Sequence, residues 1–163
     1  MTVFCNVRTP LLLTANGPAA KASETWSDEE KAVMKEAARE RRAAARRGKG
    51  ATKEDGESEV LAKIAEMPTQ DRVMAERVHA IVMATAPDLW PRTWYGMPAY
   101  AKDGNVICFF KNALKFKARY ATLGFSDKAN LDDGAMWPTD FALMELTPEV
   151  EARIAELVRR AIS

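Results

Sequence analysis

The 163-residue chain reads as an α+β protein: N-terminal helices, a curved antiparallel sheet of about four strands or more, and a C-terminal helix packed on it. Three observations predict this. Apolar residues recur at helical spacing up to Ala86. From Trp90 the period changes to two, in short runs rich in aromatic and β-branched residues. After Leu146 the helical period returns and lasts to the end.

Residues 1–23 carry no periodic apolar pattern and are expected to be a disordered leader, a start placed too early, or a targeting peptide. The run "PLLLTA" is short and proline-broken for a signal peptide. Residues 24–56 are expected to be a basic helical arm and linker. Ser27 and Glu30 have the spacing of a capping box, Asp28 and Glu29 suit the first turn, and Gly48 marks a stop. From Ser27 to Lys53 nine Lys or Arg stand against five Asp or Glu, which fits a solvated arm or a polyanion-binding one. "GKGATKEDGE" reads as a flexible linker.

The compact domain is expected over 57–163. Val60, Leu61 and Ile64 define one helical face before Pro68. Thr69 is the expected cap of a second helix, with Val73, Met74, Val78, Ile81 and Val82 as its core stripe. His79, the single histidine, lies beside that stripe and is read as structural rather than catalytic.

Four strand candidates follow: "TWYGMPAYA", "NVICFFK", "KFKARYATL" and a last one within "AMWPTDFAL". Asp103-Gly104 predicts a tight hairpin turn between the first two. In the first, Gly96 and Pro98 interrupt an aromatic strand and predict a bend or bulge. With Arg92, Trp94, Gly96, Pro98 and Tyr100 on one face, the bend serves curvature alone or makes a small-ligand groove beside Trp94 and Tyr100. The third run alternates Lys115, Lys117 and Arg119 outward with Phe116, Ala118 and Tyr120 inward. Trp94, Tyr95, Gly96, Met97, Pro98, Tyr100, Lys115, Lys117 and Arg119 are therefore the candidate binding residues. The last helix takes Thr147 as N-cap and Pro148 at its first position, with Val150, Ile154, Leu157, Val158 and Ile162 buried.

Charge and composition narrow the functions. The net charge is +1, which excludes a uniformly basic nucleic-acid coat. No apolar run reaches membrane-spanning length, and two cysteines with one histidine offer no zinc spacing. Cys108, inside "VICFF", is expected as a reduced, buried thiol, in keeping with a cytoplasmic protein. No nucleophile triad, nucleotide-binding glycine loop or HExxH helix is present. Between Trp90 and Phe125 six basic residues face one acid, whereas seven acids between Ser126 and Glu151 face one lysine. Asp132-Asp133-Gly134 reads as a turn, with a weak divalent-metal site as the sharper alternative.

The stretches "APDLWPRTWYGMPAY" (86–100), "VICFFKNALKFKARYATLGF" (106–125) and "WPTDFALMELTPEVEARIAELVRRAI" (137–162) together resemble the YdhG-like family, a small bacterial domain of unknown function. The resemblance spans roughly residues 70–163 and is carried chiefly by Tyr95-Gly96-Met97-Pro98. Some members are described as frataxin-like iron chaperones, so the resemblance implies iron as cargo and iron-accepting proteins as partners. It implies no catalytic motif. Frataxin-type iron binding needs a row of carboxylates. The basic third run opposes that, which leaves Asp132 and Asp133 as the place for iron. The expectations are thus an iron-handling protein, a module binding an anion, peptide or nucleic acid on a basic aromatic sheet face, or a structural domain.

Overall fold

The computed structural model describes residues 26–47 and 50–163; the expected leader and the Gly48 stop lie outside these. The described residues form four helices and one five-stranded antiparallel sheet, which makes the protein α+β. The order is α1 (Asp28–Arg47), α2 (Lys53–Ala65), α3 (Thr69–Thr85), β1 (Trp90–Trp94), β2 (Met97–Lys102), β3 (Asn105–Lys111), β4 (Ala121–Phe125), β5 (Asp140–Leu143) and α4 (Pro148–Ala161). The sheet is a meander, β1-β2-β3-β4-β5. None of the described helices is long and apolar enough to cross a membrane.

Helix α1 opens on the expected capping box. Ser27 N donates to Glu30 Oε2 at 2.7 Å and Glu30 N to Ser27 Oγ at 3.2 Å. The linker reading fails beyond Thr52. Thr52 and Asp55 form a second capping box, and Lys53 to Gly56 are the first turn of α2. Gly56 belongs there because a Cβ at that position would collide with the Pro91 carbonyl of β1. Thr69 is the first residue of α3, whose cap position is Pro68.

Helices α2, α3 and α4 cover the inner face of the sheet. Val60 and Ile64, Val78 and Val82, and Ile154 and Val158 pack on Tyr100, Cys108, Phe110, Leu123 and Phe125. Leu61 and Val73 of the expected stripes are exposed instead. Thr147 caps α4 as predicted, its side chain accepting from Val150 N. His79 is structural: Nδ1 lies 3.1 Å from the Tyr100 hydroxyl, and Nε2 is 3.5 Å from Glu57 Oε1. Burial, only partly offset by Glu57, depresses the His79 pKa below 6.5. Cys108 is free and fully buried, which pushes its thiol up to about 12.

Candidate functional site

The predicted single strand 93–101 is two strands. Trp94 pairs with Met97, so Tyr95-Gly96 is a two-residue hairpin turn with φ of +52° and +72°. These are the angles of the turn that joins right-twisted strands most easily. Pro98 fits without loss. Its nitrogen points towards β3, where pairing begins only at Ala99 opposite Phe109. The turn also reverses the predicted faces. Trp94 shares a face with Met97 and Ala99, whereas Pro98 and Tyr100 point into the core and are fully buried. Tyr100 is therefore not beside Trp94.

The third predicted strand is also corrected. Lys115, Lys117 and Arg119 lie in the β3–β4 loop, and β4 begins at Ala121. Asp71, buried at the start of α3, holds this loop by accepting from Ala113 N at 3.3 Å and Leu114 N at 3.0 Å. Lys117 takes a φ of +48°, incompatible with an extended run, and Tyr120 is exposed.

Register builds a groove on the outer sheet face. One cross-strand row runs Ala99, Phe109, Gly124, Asp140; the next runs Lys111, Thr122, Ala142. Gly124 leaves room for the Phe109 ring to lie across β4, since a Cβ there would strike that ring and come within 2.7 Å of Asp140 Oδ1. Trp94 meets Phe109 edge-on, with centroids 5.2 Å apart, and meets Tyr95 at the same separation. Lys111 Nζ stands 4.8 Å from the Phe116 centroid. The resulting cavity of about 610 Å³ is also lined by Val33 of α1, Tyr120 and Asp140. Among the described residues Lys111 has no carboxylate partner.

Of the predicted binding residues, the groove gathers Trp94, Tyr95 and Met97. Gly96 and Lys115 line a neighbouring cavity under α1. Lys117 is paired with Glu29 of α1, and Arg119 stacks against Tyr120 at 5.5 Å. Phe109, Lys111, Phe116 and Asp140 join the groove without a binding motif of their own; Gly124 inside a strand is the available signal, since such a glycine marks a close approach.

Asp132 and Asp133 are exposed, and Gly134 supplies the turn with a φ of +67°. The Arg160 guanidinium donates to the carbonyls of Leu131 and Asp132 at 3.2 and 2.8 Å, so a cation already stands at this loop. No group of three or more His, Cys, Asp or Glu able to hold a metal ion occurs among the described residues. Among the described residues Asp132 and Asp133 are thus not joined by a third ligand of that kind. Comparison with protein-family models, with curated proteins and with solved structures finds no match to the chain.

Proposed function

We propose that the protein binds a planar aromatic anion in the groove on the outer face of its sheet. The observation that carries this is an open cavity with an aromatic wall, Trp94 against Phe109, and Lys111 held over Phe116 without a carboxylate partner among the described residues. Aromatic side chains on the solvent face of an antiparallel sheet offer stacking for a flat ring, worth about 1–3 kcal/mol per stacked base in nucleic-acid-binding proteins. Lys111 supplies the charge for a phosphate or carboxylate on that ring. Asp140, across the groove, accepts from an N–H of the ligand and disfavours a ligand that is anionic at both ends.

The volume of about 610 Å³ suits one small ligand. With a net charge of +1, and with Lys117 engaged by Glu29, a long polyanion lacks a continuous basic track. The iron-delivery reading carried by the YdhG-like resemblance gains no ligand set from the described residues.

Calorimetric titration with adenosine monophosphate and with a naphthalene carboxylate tests the reading and separates the two sources of the chemistry. At least one should bind saturably. Lys111→Ala should weaken binding about tenfold, matching the loss of one charge-assisted contact of ~1.4 kcal/mol. Methyl phosphate, which has no ring, should not enter the groove. Absence of saturable binding of either aromatic probe at millimolar concentration would remove the proposal.

A further inference from the structure

Helix α1 docks through one stripe, Glu29, Val33, Glu36, Ala37 and Glu40, at the spacing of a single helical face. The stripe is unusual for a packed helix, because its long side chains are carboxylates. Glu40 is received by the β1–β2 turn: Tyr95 N donates to Oε2 at 2.8 Å and Gly96 N to Oε1 at 2.6 Å. Consecutive amides exposed by positive φ form a concave anion receptor. Beside it, Glu36 Oε1 lies 2.5 Å from Lys63 Nζ of α2, and Lys115 Nζ donates to the carbonyls of Tyr95 and Gly96 at 3.4 and 3.3 Å. Glu36, Lys63, Gly96 and Lys115 line a cavity of about 390 Å³. Asn112 lines it, 2 % exposed, with its Oδ1 buried and without a hydrogen-bond partner among the described residues.

From this geometry we infer a second ligand site, distinct from the sheet-face groove but sharing the Tyr95-Gly96 turn with it. It is an oxyanion site for a phosphate group, formed by the Tyr95 and Gly96 amides, Lys63 and Lys115, and α1 is its displaceable internal occupant. Glu36 and Glu40 stand where the phosphate oxygens would sit.

Charge argues for displacement. With α1 seated, Glu36 and Glu66 pair with Lys63, and Glu40 takes the two amides beside Lys115. Without α1 only Glu66 remains, and it is mostly exposed on the Lys63 side. Two partly buried ammoniums and two amides then need an anion. Burial lowers the Lys115 pKa first of all, with Glu36 opposing and Lys63 adding to the shift. Little apolar surface holds α1 down: Ala37 is its buried hydrophobic side chain among the described residues, while Met34 is 42 % exposed.

The test uses the full chain. Glu36→Ala with Glu40→Ala vacates the site while keeping helix propensity. Titrated with inorganic phosphate by calorimetry, this variant should bind at least tenfold more tightly than the wild type. Adding Lys63→Met and Lys115→Met should abolish the gain. An affinity equal to the wild type, or a gain that survives loss of both lysines, would overturn the inference. A second readout needs no variant. Phosphate should speed tryptic cleavage within α1 of the wild type relative to chloride at equal ionic strength, because it competes for the seat of Glu40. Unchanged or slower cleavage would also overturn it.

Discussion

Gly96→Ala tests the reading of the Tyr95-Gly96 turn on which both proposed sites depend. Gly96 has a φ of +72°, and placing an L-residue there costs roughly 1–2 kcal/mol. The new Cβ would also lie 2.8 Å from Glu36 Cγ and closer still to Lys115 Nζ, so α1 and the lysine must shift. Gly104 is the internal control. Its φ is +83°, yet its Cβ would meet nothing within 4 Å. Gly104→Ala should therefore show the conformational cost alone, and Gly96→Ala that cost plus the disturbance of the α1 contact. For a chain of this size 1 kcal/mol corresponds to about 2–4 °C in Tm. Gly104→Ala should lower Tm by roughly 2–8 °C by that scale, and Gly96→Ala by more. Urea unfolding should rank them identically. Equal midpoints for the two variants would refute the tight seating of α1 on the turn, and an unchanged midpoint for Gly96→Ala would refute the turn itself.

Asp71→Ala should destabilise by about 2–4 kcal/mol in chemical denaturation, because it strips the Ala113 and Leu114 amides of a buried carboxylate acceptor. Gly124→Ala should push the Phe109 ring off β4; near-ultraviolet circular dichroism should change and groove binding should fall at least about tenfold, or ~1.4 kcal/mol. The folded-state pKa of His79 lies below 6.5, so the unfolded chain takes up the proton first as pH falls. Stability should decline as pH drops below about 6.5 towards that depressed value, and His79→Gln should flatten the decline in urea midpoints measured between roughly pH 7 and 5.5.

Several local signals hold where one residue type makes one conformation cheap, although Thr69, expected as a cap, lies inside α3. Ser27 with Glu30, Thr147 with Pro148, and Asp103-Gly104 announce two helix starts and a hairpin, and all three are present. The Thr52–Asp55 box has the same grammar but sits among glycines and charges that resemble a linker. The Tyr95-Gly96 turn was hidden because tyrosine is rare at positive φ, so the expected Asn-Gly or Asp-Gly mark is missing. That one omission reversed the parity of every side chain before it and put Tyr100 in a groove instead of the core. In 115–120 the alternation of basic and apolar residues imitates a strand, whereas the loop is set by Asp71, more than forty residues away. Glu40 reaching the Tyr95 and Gly96 amides is likewise a long-range contact with no local signature.

The most direct test of groove binding is a nitrogen–proton correlation titration of the full chain with adenosine monophosphate and with the naphthalene carboxylate. The account predicts that the shifts caused by whichever probe binds concentrate on the Trp94 indole N–H and on the amides of Phe109, Lys111, Thr122 and Gly124, which share the outer sheet face. Inorganic phosphate alone, whose proposed seat is at the Tyr95-Gly96 turn, should leave the Phe109, Lys111, Thr122 and Gly124 signals in place. Shifts confined to other residues, or none from either aromatic probe at millimolar concentration, would contradict it.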